Sequence, residues 1–196
     1  MNNSFEKFYL IGKGGFGVQL HYMLKKERFK KNLRFVDDKS NFKIKDFFKI
    51  KKKASFNITV GSPKTREKIY NKSLNTRFVY KSIIFKNNCI YSKLINQGCI
   101  IEPNTVITNI TSIGIGNFIF SGSIIGHDVC IGNFCNIGGN TVISGNVVIG
   151  NRVQIGANSF ITNNVKIAND VIIAPGSTIM RDIKFPGVYK DNVKIK

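Results

Sequence analysis

Residues 119–155 read IFSGSIIGHDVCIGNFCNIGGNTVISGNVVIGNRVQI, and isoleucine returns at every sixth position, at 119, 125, 131, 137, 143, 149 and 155. Followed outward in both directions, the spacing runs unbroken from Ile95 to Ile179, fifteen consecutive hexads. Four places after each isoleucine stands a small or β-branched residue in nearly every hexad, as at Cys99, Thr105, Ser123, Val129 and Cys135. A period of six matches neither the helical repeat of about 3.6 nor the alternation of a simple strand. It fits a solenoid in which each hexad is a short strand and a tight turn, forming one side of a triangular prism. Isoleucine then points inward and stacks on the isoleucine of the next coil, while Gly and Asn take the corners that need positive φ. Three hexads close a coil of 18 residues, so residues 95–184 are expected to hold five coils.

The chain has 196 residues, 42% of them apolar and 21% charged, which suits a globular protein and is too apolar for a disordered one. No apolar run approaches the roughly 18 residues of a membrane-spanning helix, and the N-terminus does not read as a secretory signal. A soluble, cytoplasmic protein without membrane insertion is expected. The four cysteines, Cys89, Cys99, Cys130 and Cys135, and the two histidines, His21 and His127, show no zinc-like spacing. No metal is expected, and the cysteines read as small apolar residues of a reducing compartment. The net charge of +19 is uneven: residues 1–94 hold 23 basic and 6 acidic side chains, residues 95–196 hold 7 and 5. The runs Lys25, Lys26, Arg28, Lys30, Lys31 and Lys49, Lys51, Lys52, Lys53 are its core. Such a bias is either a polyanion footprint or lysine solvating exposed faces. The second reading is preferred, and a nucleic-acid partner is not expected.

Ahead of the repeat, Phe8–Ile11 reads as a strand, residues 18–31 as a helix, Leu33–Val36 as a second strand, Phe56–Val60 as a third and residues 64–73 as another helix, with Phe78–Tyr80 closing a parallel βαβ unit. Gly12, Gly14 and Gly17 satisfy G-x-G-x-x-G at the first strand-to-helix junction, and Asp37 follows 20 positions after Gly17. Such a loop lets backbone approach a pyrophosphate at a helix N-terminus, where a carboxylate can accept from ribose or base donors. About 80 residues supply one mononucleotide-binding half, so a mononucleotide-linked ligand fits better than a dinucleotide. In the repeat, His127 stands at the third position of its hexad, away from the inward isoleucine, with Asp128 beside it. An imidazole displayed there can serve as a general base.

A short βαβ unit followed by hexapeptide coils resembles the left-handed β-helix (hexapeptide-repeat) sugar acetyltransferases of the bacillosamine, perosamine and sialic-acid pathways. The resemblance implies an α/β nucleotide-binding, Rossmann-like domain over 1–82 and an all-β left-handed parallel β-helix over 83–196, assembled as a homotrimer with active sites between subunits. It implies an N-acetyltransferase moving acetyl from acetyl-CoA to the amino group, 4-amino by preference, of a nucleotide-linked amino-deoxy sugar, without a covalent intermediate. On this likeness Gly14, Gly15, Phe16, Asp37, Asp38, Gly61, Ser62 and Arg66 hold the nucleotide sugar, with Phe16 where the family often has His. His127 is the general base, and Asp128 orients it. Asn136 takes the place of a second His that contacts acetyl-CoA, and Gly145, Gly156, Ala157 and Gly176 line the coenzyme groove, a backbone N–H near Gly145 serving the oxyanion. The residues 185–190 match the family's close only loosely. Two rivals remain at this point: an O-acetyltransferase acting on a hydroxyl such as that of a sialic acid, and a non-catalytic solenoid serving as a scaffold or polyanion-binding protein. A γ-class carbonic anhydrase would need three metal-binding histidines, and the chain has two.

Overall fold

A computed structural model describes residues 7–27, 29 and 32–196, and the chain divides into two units, Met1–Lys81 and Ser82–Lys196. The first contains strand β1 (Lys7–Ile11), helix α1 (Gly15–Lys26), β2 (Asn32–Val36), the single-turn α2 (Ile44–Phe47), β3 (Ser55–Ile58), α3 (Pro63–Ser73) and β4 (Val79–Tyr80). The four strands pair in parallel in the order β2-β1-β3-β4. Leu10, Ile11, Phe56 and Ile58 are buried in the two central strands, the near-continuous apolar pattern of strands covered on both faces. Phe47 of α2 packs its ring 4.5 Å from Phe78, 5.0 Å from Tyr9 and 5.8 Å from Phe56. Four residues are too few for a periodic signal, which is why α2 is absent from the sequence reading. Helix α1 starts at Gly15 rather than Val18, with Gly14 as its extended N-cap, and ends at Lys26. The expected extension to Lys31 reaches residues 28, 30 and 31, and Arg28, Lys30 and Lys31 of the first basic run lie outside the described residues. Helix α3 begins where Ser62 caps it, its Oγ accepting from Thr65 N–H, with Pro63 at the first position, where a missing N–H costs nothing.

The second unit is a solenoid with three faces. The first face runs through Ile100–Ile101, Phe118–Ile119, Asn136–Ile137, Gln154–Ile155 and Val171–Ile173. The second runs through Val106–Ile107, Ile124–Ile125, Val142–Ile143, Phe160–Ile161 and Thr178–Ile179, and the third through Leu94–Ile95, Ser112–Ile113, Cys130–Ile131, Val148–Ile149 and Lys166–Ile167. Each strand pairs in parallel with the strand 18 residues away, as Ile119 with Ile137 and Ile125 with Ile143. The isoleucines of the repeat form one internal column, buried from Ile101 to Ile179; Ile95, on the last strand of its sheet, is only partly covered. The residues four places on complete the core, and where they are polar they serve the corners. Ser123 Oγ donates to Phe120 O, and Asn117 Nδ2 to Gly114 O and Gly132 O.

The third residue after each isoleucine has φ between 55° and 75° in all fourteen hexads from residue 98 to residue 176. Eleven of these are Gly, Asn or Asp, as expected at left-handed corners. Ile110, Phe134 and Arg152 depart from that expectation. Phe134 is 3% exposed, and Arg152 makes a two-pronged ion pair with Asp170 one coil on, Nε to Oδ1 2.9 Å and Nη2 to Oδ2 2.7 Å. Solenoid strands also extend beyond residues 95–184. Ile83–Ile84 and Cys89–Ile90 precede the hexads, and Ile90 stands five residues from Ile95 rather than six. At the other end Gly187–Lys190 pairs in parallel with Val171–Ile173 and antiparallel with Val193–Lys194, so the stretch that only loosely matches the family's close contributes a strand and hairpin laid on the sheet edge.

Candidate active site

His127 and Asp128 form the corner between the second and third faces of the solenoid. Asp128 occupies the left-handed position, φ 57°, which turns its carboxylate back on the neighbouring ring: Oδ2 lies 2.7 Å from His127 Nδ1. The pair fixes which imidazole nitrogen faces the acid and leaves Nε2 to act outward. His127 is 60% exposed and Asp128 41%. One coil on, Gly145 supports the ring: a Cβ there would stand 2.6 Å from Nε2 and 2.7 Å from Cε1. The coils are registered at this corner by Asp128 N–H donating to Asn109 O at 3.4 Å and Asn146 N–H to His127 O at 3.0 Å. The column through the corner is thus Asn109-Ile110, His127-Asp128, Gly145-Asn146. The repeat arithmetic alone places Ile110 there, though nothing in the sequence marked it.

The other solenoid candidates stand elsewhere on the prism. Asn136 begins a strand of the first face, and Gly156, Ala157 and Gly176 occupy the corner between the first and second faces. Within one chain the structure does not bring them to His127; a whole face intervenes. Two of them also have a packing reason to be glycine. A Cβ on Gly156 would lie 2.4 Å from Pro175 N, and Gly176 has φ +63°. Lys190 Nζ donates to Pro175 O at 3.1 Å and Gly176 O at 2.7 Å, a contact the sequence reading did not anticipate.

In the first unit, the loops after β1, β2 and β3 gather at the carboxyl edge of the parallel sheet, the edge where open α/β sheets bind ligands. Gly12 has φ +112°, and a Cβ on Gly17 would lie 2.2 Å from Gly12 O, so two of the three motif glycines are demanded by the turn itself. Gly14, Gly15 and Gly61 face open space, and Phe16 is half-buried. Asp37 accepts from Lys13 N–H at 2.7 Å and Lys39 N–H at 2.9 Å. The Lys13 N–H, then that of Lys39, holds its carboxyl below the usual carboxylate range. Asp38 Oδ1 accepts from Ile44 N–H at 3.1 Å. Thr59, missed in the sequence, donates its hydroxyl to Gly12 O at 2.6 Å, tying β3 to the glycine loop. Arg66 requires a correction as a substrate ligand. It has no exposed surface, and its Nη1 donates to Val60 O at 2.9 Å and Gly61 O at 3.1 Å, so it shapes the turn carrying Gly61 and Ser62 from beneath. His21 lies on α1 against Phe35, ring centroids 5.0 Å apart, and burial first, then Lys25, holds its pKa below the ordinary value.

Residues 146–181 match the family model described as bacterial transferase hexapeptide (six repeats). A mutant of perosamine N-acetyltransferase from Caulobacter crescentus, solved with CoA and GDP-perosamine, superposes with a TM-score of 0.80 at 18% identity, over 94% of each chain. The acetyltransferase domain of PglB from Neisseria gonorrhoeae, solved with acetyl coenzyme A, gives 0.84 at 20% identity, over 93% of this chain and 95% of that one. WeeI from Acinetobacter baumannii gives 0.68 at 16% identity, over 93% and 95%. The fold is that of the left-handed β-helix sugar acetyltransferases. Both units of this left-handed β-helix chain are included in that likeness, since it spans more than nine-tenths of the chain. Among the described residues no helix is long and apolar enough to cross a membrane.

Proposed function

We propose that this protein is an acetyl-CoA-dependent N-acetyltransferase acting on the amino group of a nucleotide-linked amino-deoxy sugar. The observation that carries the reading is the His127–Asp128 pair at 2.7 Å, displayed on a solenoid corner with its ring laid over Gly145. In this reading the neutral imidazole takes the proton from the acceptor nitrogen as that nitrogen attacks the thioester carbonyl. The C–N bond forms, the C–S bond breaks, the thiolate of CoA departs and the proton rests on His127, with Asp128 stabilising the imidazolium. In this reading the carboxyl-edge loops of the first unit, with Gly14, Gly15, Asp37, Asp38, Gly61 and Ser62, hold the nucleotide.

A homotrimer belongs to this proposal. Gly156, Ala157 and Gly176 stand across the second face from His127 and Asn136 across the third, and a second copy would bring such positions to it. The intervening second face is suited to burial: its outward column contains Val106, Ile124, Val142 and Phe160, with Ile124 43% and Phe160 41% exposed. The test is a panel of UDP-, GDP- and dTDP-linked amino sugars with acetyl-CoA, read by mass spectrometry for the gain of one acetyl group. Wild type acetylates at least one amine. His127→Ala and His127→Asn lose about 10²–10⁴-fold in kcat while keeping the wild-type melting temperature. Transfer only to hydroxyl acceptors, or His127 variants within threefold of wild type, would overturn the reading.

A further inference from the structure

Three of the fourteen left-handed corners hold a residue that does not favour that conformation, and two of the three are compensated inside the chain. Phe134 is buried, and Arg152 is held by Asp170. Ile110 is the third. It is β-branched at φ 58° and 63% exposed, so it combines an outlying backbone with an apolar side chain displayed to solvent. It stands one coil from Asp128, in the same corner and in the same backbone conformation, φ 58° against 57°. An asparagine there, as at the equivalent Asn146 and Asn164, would remove the strain and solvate the corner.

We propose that Ile110 is a specificity-determining residue for the acceptor, packing against the methyl group or apolar ring face of a deoxy sugar. The assignment rests on the acetyltransferase reading above. Gly145 and the positions attributed to acetyl-CoA lie on later coils than His127, whereas Ile110 lies on the preceding one, the side left for the acceptor. One coil spacing, about 4.8 Å, matches the width of a pyranose ring held with its amine at His127. The occupant has to be apolar, because a hydroxyl in that place would be better met by the asparagine that other corners carry. Strain retained at an exposed position next to a reacting group is the pattern by which function overrides local preference.

The experiment compares wild type with Ile110→Asn and Ile110→Gly. The acceptors are the nucleotide-linked amino sugar the wild type accepts with a methyl group on its ring and the counterpart bearing hydroxymethyl instead. Ile110→Asn is expected to raise the melting temperature and leave the oligomeric state and the KM for acetyl-CoA unchanged. It is expected to raise the KM for the methyl-bearing acceptor about 5- to 20-fold, with less than a twofold change for the hydroxymethyl one. Ile110→Gly repeats the KM pattern. An acceptor KM within twofold of wild type overturns the proposal while leaving the acetyltransferase reading intact. A lower melting temperature with loss of assembly also overturns it, by assigning Ile110 to contact with a second copy. A wild type that acetylates nothing removes the reading and the proposal together.

Discussion

A methyl group added at Gly145 would meet the His127 ring at 2.6 Å, inside any real carbon–nitrogen contact, so the ring has to turn away. The backbone at Gly145 is not in the left-handed region, and alanine is tolerated there as far as the chain itself is concerned. Gly145→Ala is therefore expected to fold and melt as wild type while kcat falls about 10- to 100-fold, the loss that follows when a reacting group is displaced by about 1 Å. In the double variant with His127→Ala the second change adds nothing, because the ring it displaces is gone. Independent, multiplicative losses would show that Gly145 acts by another route. At this scale the sequence was partly legible. His127 stood out by its place in the hexad, and Gly145 by the family likeness. The reason for the glycine, an imidazole lying across it from the coil before, is a contact between residues 18 apart that periodicity does not describe. Ile110 was illegible for the opposite reason: isoleucine is among the last residues expected at positive φ, so its identity pointed away from its conformation.

Between elements, Asp37 joins two loops rather than standing free at the end of β2. Its carboxylate accepts from the glycine loop at Lys13 and from its own turn at Lys39, and those two N–H groups lower its pKa. A carboxyl with a depressed folded pKa stabilises fully above its unfolded value, about 3.9, and loses that contribution as pH falls through the folded value. Asp37→Asn is expected to lower the melting temperature at neutral pH, with the gap to wild type closing below about pH 4. The KM for the nucleotide sugar rises about tenfold as the loop loosens, and that for acetyl-CoA stays put. A gap constant with pH would mean the charge on Asp37 does nothing for the fold. The acidic residue was found from its distance to Gly17, a spacing that reports strand and helix lengths. Arg66 was misjudged because a motif position does not say whether a guanidinium turns outward or folds under the turn, and here the carbonyls of Val60 and Gly61 draw it inward. Thr59 carried no motif, and only the pairing of β3 with β1 brings it to Gly12.

At the scale of the molecule, the distribution of candidate residues over two corners of the prism sets the assembly problem. The outward column of the second face is apolar from Val106 to Phe160, although apolar side chains there add nothing to the core. Ile124→Asp and Phe160→Asp place charges on that face without disturbing the inward isoleucines. Both variants are expected to run as monomers in light scattering and to lose transferase activity, while wild type runs as a trimer. A charged variant that stays trimeric and fully active, or an active monomeric wild type, removes the second face from the assembly. The solenoid was legible almost throughout because one residue type at one spacing governs both the core column and the corner conformation. The repeat count alone did not reach its beginning at Ile83, because the five-residue step from Ile90 to Ile95 breaks it, and the start at residue 83 was given by the family likeness instead.

The stacking of strand on strand at a separation of 18 residues makes the prism a counter. Losing or gaining a number of residues that is not a multiple of six slides the inward column onto the surface, and losing or gaining six or twelve keeps isoleucine inside but moves every later corner to another edge of the prism. Losing or gaining a full turn restores both. The length of the prism on either side of the His127 corner can therefore change only in steps of about 4.8 Å, each step leaving the chemistry of the corner untouched. Reach toward a ligand is a whole number in this architecture, and an ancestor or an engineer adjusts it by turns rather than by residues.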